Sequence, residues 1–240
     1  MKQFDIITIF PKIFSAKGPL RPRSEASEPA SSGDSSAYFD YGVVKQALNK
    51  KLIKITAHDL RKFSPAKSKI HKSVDDKPYG GGPGMILLIE PLVKALASIK
   101  KKKTKRIILL TPAGKTFTQR DAERLAKYDQ LILLCGRYEG FDSRIEKYVD
   151  EQISIGDYVL AGGELPAMIV VEAVARNIKG VVGHNEALSE ETFSKDLDYI
   201  EYPQYSRPEN FKGQRVPKIL LSGNHQEIKK WREKNAKKKK

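Results

Sequence analysis

Between residues 105 and 178, short apolar runs that are typical of β-strands alternate with longer helical patterns. The runs KRIILL, QLILLC and EQISI are separated by the helical patterns TQRDAERLAKY (118–128) and DSRIEKYV (142–149), and the last run is followed by LPAMIVVEAVARNI (165–178). Strands that alternate with helices of this length are typical of a mostly parallel sheet with helices on both faces. The alternation therefore predicts an α/β fold.

Elements outside this region extend the pattern. We predict a strand over 4–10 and another in IKITAHDL, helices over 41–52 and 90–102, and a last helix in HQEIKKWREKNAK. Residues 15–37 are rich in serine and proline and contain only one large apolar residue, Leu20. Such a segment buries too little apolar surface to offset its ordering entropy, so we expect a disordered loop there.

The formal net charge of +15 favours a polyanionic partner such as nucleic acid. Lysine clusters stand at 100–103 and 237–240, although such runs can also serve solubility alone, or form a simple tail. The single cysteine, Cys135, excludes an internal disulfide and fits a reducing cytoplasm. No run of apolar residues approaches the roughly 20 that a membrane-spanning helix needs, so we expect no membrane segment.

Three consecutive predicted strands end in loops that contain glycine: 109–115 (LLTPAGK), 133–140 (LLCGRYEG) and 154–163 (SIGDYVLAGG). The carboxyl ends of parallel strands meet at one edge of a sheet, where α/β proteins usually bind ligands. A single glycine loop is most simply a turn in the chain. Three on successive strands predict a shared pocket.

The composition of the third loop indicates what this pocket binds. The stretch 154–168 contains no lysine or arginine, and the chain has neither the glycine pattern of dinucleotide-binding folds nor that of phosphate-binding P-loops. Bare backbone groups beside Tyr158, Val159 and Leu160 suit a flat heterocycle such as adenine. We therefore predict a nucleoside ligand that is not strongly anionic.

A second glycine-rich stretch, SVDDKPYGGGPGM (73–85), has four glycines around Pro83. Four glycines around Pro83 exclude regular structure and allow the backbone to approach a bulky partner closely. The four histidines, in contrast, have no metal-ligand spacing, so no metal site is predicted from the sequence: they are His58, His71, His184 and His225.

Taken together, the stretches VDDKPYGGGPGM, CGRYEG, SIGDYVLAGGELPAM, YPQYSRPENFKG and LLSGNH resemble the bacterial tRNA (guanine-N1)-methyltransferase family of the SPOUT superfamily. The resemblance covers nearly the whole chain apart from 15–37 and the tail. It implies S-adenosylmethionine as methyl donor, tRNA as substrate, a cytoplasmic homodimer and a deep trefoil knot made by the three loops. The implied target is N1 of the guanosine immediately 3′ of the anticodon, and Mg²⁺ is implied in the same way.

The resemblance also implies which residues bind the two substrates. The contacts to S-adenosylmethionine fall on Leu110, Pro112, Gly114, Gly136, Tyr138, Gly140, Ile155, Gly156, Asp157, Tyr158, Val159, Leu160, Gly162, Gly163 and Pro166. The contacts to tRNA fall on Asp75, Tyr79, Gly84, Glu139, Glu201 and Arg207, of which Glu139 approaches the target guanine. Arg137 is either structural or in contact with the methyl donor.

Methylation at N1 needs a carboxylate to accept the N1 proton and a cation to meet the charge that grows on O6. Arg176 matches the family's arginine for the second role, although an ion pair with Glu172 one turn earlier would also explain it. For the first role, Glu191 stands where the family usually has an aspartate, and Glu190 is a neighbouring candidate. Alternatively, SEET caps the segment that follows it.

We expect a catalytic domain over 1–182, a flexible linker over 183–196 and a small, shortened helical domain for tRNA binding over 197–240. Two other functions remain open from the sequence: a SPOUT methyltransferase that acts on another RNA, and a catalytically inactive RNA-binding homologue. The glutamate in place of aspartate is the one feature that favours the inactive homologue.

Overall fold

The computed structural model describes residues 1–14, 38–65, 72–183 and 187–238. The chain divides into two compact units, Met1–Gly183 and His184–Lys240. The predicted loop at 15–37 lies outside the described residues. Among the described residues, no helix is long and apolar enough to span a membrane.

The strands of the first unit are β1 (Lys2–Thr8), β2 (Ile53–Asp59), β3 (Asp75–Asp76), β4 (Ile86–Leu87), β5 (Lys105–Thr116), β6 (Gln130–Cys135) and β7 (Glu151–Ser154). The helices of this unit are α1 (Gly42–Asn49), α2 (Ile89–Ser98), α3 (Gln119–Ala126) and α4 (Glu164–Arg176). Five of the strands form one sheet in the order β2-β1-β6-β5-β7, and every neighbouring pair in it is parallel. The two-residue strands β3 and β4 form a separate antiparallel hairpin.

The sheet is buried on both faces because its strands are apolar at odd and even positions alike. On β6, Leu131 and Leu133 pack into one core cluster with α1, α3 and α4, whereas Ile132 and Leu134 pack into a second cluster with α2. Alternate side chains of a strand point to opposite faces, so a continuous apolar run is what a doubly covered parallel strand requires. The predicted α/β fold with a mostly parallel sheet is confirmed.

Several predicted bounds differ from the structure. The helix predicted over 90–102 ends at Ser98, ahead of the lysine run, and that over 41–52 covers only Gly42–Asn49. The segment predicted as an α-helix over 142–149 is a short 3-10 helix, Ser143–Tyr148, which Asp142 caps through the Arg144 N–H. A six-residue segment is short enough to close as 3-10 turns, which are common in short pieces.

Two predicted helices agree more closely with the structure. Thr118 caps α3 through a reciprocal capping box with Asp121, which satisfies N–H groups that have no partner in the first helical turn. The apolar segment predicted over 165–178 is α4, and its Pro166 lies in the first turn, where a missing N–H costs nothing.

The second unit contains short elements: α5 (Ala187–Glu190), β8 (Tyr199–Ile200), β9 (Asn210–Phe211), β10 (Gln214–Arg215), α6 (Lys218–Leu221), α7 (His225–Asn235) and β11 (Lys237–Lys238). The predicted last helix is α7, capped by Asn224. Strand β11 pairs with β8, and Lys238 lies 3.6 Å from Asp198. The terminal lysine run is therefore partly a strand rather than a simple tail.

Candidate functional site

The three predicted loops meet at the carboxyl edge of the sheet and enclose a cavity of about 230 Å³. The second and third loops continue beyond the ends of β6 and β7, whereas residues 109–115 lie within β5, which continues to Thr116. Only two charged side chains line it, Arg137 and Glu139. The complete lining is Leu110, Thr111, Pro112, Gly136, Arg137, Tyr138, Glu139, Gly140, Phe141, Ile153, Ser154, Ile155, Tyr158, Val159, Leu160, Ala161, Gly162, Gly163 and Pro166.

The first loop is an excursion from the strand β5. Leu110 and Lys115 both pair with Ile153 of β7, so the intervening residues leave the sheet edge and return to it. Gly114 closes the excursion, because a Cβ on this residue would lie 2.5 Å from the Ile153 nitrogen. This glycine is needed for the close approach of two strands, and it does not line the cavity.

The second loop carries a strained residue. Tyr138 has a φ of 59°, a left-handed conformation that costs a side chain of this size about 1–2 kcal/mol. The loop is fastened to the start of α4, since the Gly163 N–H donates to the Gly136 carbonyl at 2.8 Å. A Cβ on Gly163 would lie 2.6 Å from the Cys135 Cα, so only glycine permits this approach. Backbone strain of this kind is found where surrounding contacts hold a functional geometry.

The third loop turns at Gly156 and then presents apolar side chains to solvent. The Ser154 hydroxyl donates to the Gly156 carbonyl at 3.0 Å, and the Tyr158 N–H donates to the same carbonyl at 2.9 Å. Val159 is 83% exposed. The loop itself carries no cation, and the nearest one, Arg137, is ion-paired with Glu164 at 2.8 Å. The cavity thus offers backbone polar groups and apolar side chains, a poor set for phosphate.

All but three of the residues that sequence reasoning assigned to the methyl donor line this cavity. The exceptions are Gly114, Gly156 and Asp157. The structure adds six lining residues that were not assigned: Thr111, Arg137, Phe141, Ile153, Ser154 and Ala161. Their positions at the carboxyl ends of β5 and β7, or beside assigned glycines, are the signal that could have identified them.

The glycine-rich stretch 73–85 lies against the second loop. The Glu139 N–H donates to the Met85 carbonyl at 2.9 Å, and a Cβ on Gly84 would lie 2.6 Å from the Glu139 side chain. Two predicted tRNA contacts, Gly84 and Glu139, are thereby brought together beside the cavity. Asp75 pairs with Leu87 in the short hairpin, and Tyr79 is fully exposed at the tip.

Arg176 is not brought to the cavity of its own chain. Pro166, at the start of α4, lines the cavity, and Arg176 is the last residue of the same helix. At 1.5 Å per residue, ten residues separate the two by roughly 15 Å along the helix axis. Glu172, the alternative partner of Arg176, accepts a hydrogen bond from the Tyr38 hydroxyl.

The other predicted functional residues belong to the second unit. The Tyr202 hydroxyl donates to Glu190 at 2.9 Å, and Arg232 lies 3.7 Å from the same carboxylate. Burial and this hydrogen bond raise the pKa of Tyr202 to about 12. Glu190 is thus part of the packing of this unit. Thr192, in the same stretch, accepts a hydrogen bond from the Glu201 N–H at 3.2 Å.

The single cysteine is unsuited to nucleophilic chemistry. The Cys135 thiol is buried beneath the cavity, and burial raises its pKa well above the ordinary value, which makes it a poor nucleophile. Among the described residues there is no group of three or more His, Cys, Asp or Glu side chains that could hold a metal ion.

Comparison with known proteins agrees with the geometry. Residues 35–240 match the family model described as tRNA (Guanine-1)-methyltransferase TrmD. A tRNA (guanine-N(1)-)-methyltransferase of Dictyoglomus turgidum is 46% identical over 239 residues, which cover 100% of this chain and 86% of that protein. Proteins of the same name from Caldanaerobacter subterraneus and Clostridium tetani are 43% and 42% identical, over 95% and 96% of this chain and 84% and 85% of theirs. The chain belongs to the TrmD family.

Proposed function

We propose that this protein transfers the methyl group of S-adenosylmethionine to N1 of the guanosine immediately 3′ of the anticodon in tRNA. One observation carries the proposal: in a member of the TrmD family, three loops enclose a cavity lined by backbone groups and apolar side chains, with its one cation already paired. Such a cavity suits an adenosine that has no phosphate. Acting on tRNA, the enzyme is expected to work in the cytoplasm.

In the proposed complex, the third loop binds the adenosine through its main chain, and Tyr158, Val159 and Leu160 cover it. The bound donor supplies a methyl group on a positively charged sulfur. The second loop directs Glu139 toward the guanine, next to the glycine-rich stretch that carries Gly84 and Tyr79. Holding the methyl group in line with N1 supplies much of the rate enhancement.

We assign proton removal from N1 to Glu191. Glu190, the other candidate, accepts from Tyr202 and faces Arg232, so its carboxylate already serves the packing of the second unit. As the N1–CH₃ bond forms and the S–CH₃ bond breaks, the N1 proton passes to the Glu191 carboxylate and S-adenosylhomocysteine is released. Arg176 meets the negative charge that develops on O6.

The position of Arg176 supports a homodimer as the active form. Within one chain it is roughly 15 Å along α4 from the cavity, and we propose that a second copy supplies it. The exposed side of α4 presents Leu165 (55% exposed) and Ile169 (45%) one turn apart. Apolar side chains in this arrangement suit a helix from the partner, and a partner helix of opposite direction would bring its arginine to this cavity.

The finer organisation is also a proposal. We infer that the three loops form a deep trefoil knot, supported by family membership and by the hydrogen bond between the second loop and the start of α4. We further propose that 1–182 is the catalytic domain, 183–196 a linker and 197–240 a small tRNA-binding domain. Within the last, Glu201 and the exposed Arg207 are proposed to contact tRNA.

Transfer of a tritiated methyl group to unmodified tRNA transcripts tests this function. We expect incorporation into transcripts with guanosine 3′ of the anticodon and none when adenosine replaces it. Incorporation into ribosomal RNA instead would indicate a different RNA substrate. RNA binding without any methyl transfer would identify an inactive homologue, and either result would overturn the proposal.

A further inference from the structure

A buried carboxylate lies where the second loop, the third loop and the end of β1 meet. Glu164, the first residue of α4, is 1% exposed, and both of its oxygens are occupied. Oε1 accepts from the Thr8 hydroxyl at 2.6 Å, and Oε2 accepts from Arg137 Nε at 2.8 Å. Thr8 ends β1, is itself fully buried, and accepts from the Phe10 N–H at 2.9 Å.

Arg137 extends this contact into the third loop. Its Nη1 donates to the Ala161 carbonyl at 3.2 Å, and its main chain pairs with Gly162 in an antiparallel bridge. A Cβ on Gly162 would lie 2.2 Å from Arg137 Nε, so the third loop passes directly over this side chain. The guanidinium group also lies 4.6 Å from the centre of the Phe10 ring.

Glu164 and Thr8 do not line the cavity, whereas Arg137 and Ala161 do. A buried ion pair carries a desolvation cost that its own attraction offsets only when geometry and further hydrogen bonds are good. Here the carboxylate has a second donor in Thr8, and it connects the end of β1 to both the second and the third loop. The contact therefore sets the spacing between these loops.

We propose that Glu164, held by Thr8, is a positioning residue for the nucleoside pocket: through Arg137 it keeps the second and third loops at the separation that the ligand requires. The inference rests on the proposed function, because it takes S-adenosylmethionine as the ligand. Neither residue touches the ligand. Glu164 and Thr8 instead affect the affinity of the pocket for S-adenosylmethionine.

The test compares Glu164→Gln with Asp5→Asn, a matched control on β1, the strand that ends at Thr8. Asp5 is also 1% exposed, and it accepts from Gln130 at 2.7 Å and from Gln3 at 2.9 Å and lies 2.8 Å from His58 Nε2. It lies three residues before Thr8 on β1, about 10 Å from the cavity edge of the strand. Both changes replace a buried carboxylate by an amide of the same shape.

Calorimetry measures the Kd of the full-length protein for S-adenosylmethionine at a temperature where every variant is folded. We expect Glu164→Gln to raise the Kd at least tenfold and Asp5→Asn to leave it within twofold. In steady-state methylation, KM for S-adenosylmethionine should rise in Glu164→Gln while KM for tRNA changes less than twofold. A purely structural role would affect both variants alike.

A second pair of variants keeps the inference testable if Glu164→Gln does not fold. Thr8→Val removes the hydroxyl and should raise the Kd about threefold or more, whereas Thr8→Ser retains it and should bind as the unaltered protein does. Equal Kd values for Thr8→Val and Thr8→Ser, or a Glu164→Gln value within twofold of the unaltered protein, would overturn the positioning role alone. No binding by the unaltered protein would overturn the proposed function as well.

Discussion

The two units of the chain bury apolar side chains to very different extents. In the first, Met1–Gly183, both faces of the five-stranded sheet are covered, and Phe4, Ile6, Leu131 and Leu133 are completely inaccessible to solvent. In the second, Tyr202 is the one buried side chain among the residues that the structure describes, with 8% of its surface exposed. The contrast is between a unit with its own core and a unit whose described residues form none.

The second unit is held by polar and aromatic contacts instead. Tyr202 joins Glu190 and Arg232, and the Tyr205 and Trp231 rings lie 6.3 Å apart. Units of this size are marginal even with a core, because a small chain buries a small fraction of its surface. We infer that the first unit supplies a rigid pocket, whereas the second depends on a partner surface for its stability. The two units should therefore respond differently to substitution.

The largest effect is expected when a buried side chain in the core of the first unit is truncated. Leu133→Ala, at a fully buried position of β6, should lower the free energy of unfolding by about 3–4 kcal/mol, the usual cost when a core leucine is truncated. Urea denaturation measures it. The matched change in the second unit, Leu221→Ala at a half-exposed position, should cost less than about 0.5 kcal/mol. Similar costs at both positions would refute the contrast.

The second prediction separates the binding of S-adenosylmethionine from the methyl-transfer step. Glu191→Gln should slow single-turnover methylation at least about 100-fold, because the amide cannot accept the N1 proton, and leave the Kd for S-adenosylmethionine unchanged. Glu190→Gln serves as control: it disturbs the Tyr202 contact and should slow the reaction less than about tenfold. A rate for Glu191→Gln close to that of the unaltered protein would remove this residue from the mechanism.

The third prediction concerns pH and the first unit. Burial alone would raise the pKa of Asp5, but hydrogen bonds from His58, Gln130 and Gln3 lower it below its ordinary 3.8. Because the pKa of Asp5 is lower in the folded protein than in the unfolded chain, its ionised carboxylate stabilises the fold at pH values above the unfolded-state pKa. This contribution is lost as the pH falls through the folded-state pKa. Asp5→Asn should therefore cost about 2 kcal/mol at pH 7, the range for hydrogen bonds to charged groups, and progressively less below pH 4. A difference that is constant from pH 7 to pH 3 would contradict this.

A smaller and local effect is expected in the second unit. Tyr202→Phe removes the hydrogen bond to Glu190 and should cost about 1 kcal/mol. Hydrogen exchange should quicken in α5 and α7 while the protection of β1 and β6 stays the same. Tyr205→Phe, at an exposed position, is the control and should change neither. Faster exchange in the central sheet would show that the two units unfold together.

The smallest effect is expected from the terminal lysines. Lys237→Gln combined with Lys238→Gln retains the backbone pairing of β11 with β8 but removes two charges. Removing one lysine–phosphate ion pair should reduce the slope of log K against log salt concentration for tRNA by about 0.9 at most. Because Lys238 already lies near Asp198, we expect a reduction of about 1 in total. Titrations over a range of salt concentrations measure it, and an unchanged slope would assign these lysines to structure alone.

The parts of the fold that the sequence predicted are those decided by local pattern. The alternation of apolar runs with helical patterns indicated a parallel sheet covered on both faces, and the run QLILLC indicated the strand β6. The helical pattern that begins at Thr118 indicated α3. The ends of α1 and α2 and the 3-10 form of Ser143–Tyr148 were predicted less well. These helix ends and the 3-10 geometry depend on how the following turn packs against the rest of the fold. The spacing of apolar residues along the sequence does not determine that packing.

The sequence by itself determined the α/β class, the family and the three loops, because each follows from residue types at fixed spacing within a short stretch of chain. Only the tertiary structure decided that Gly114 closes a strand contact, that Arg176 is remote from the cavity of its own chain, and that Glu164 holds Arg137. Thr8 and Glu164 are 156 residues apart, and their hydrogen bond exists because the end of β1 and the start of α4 lie at the same edge of one sheet. Such contacts depend on the path of the whole chain, and no local pattern encodes them.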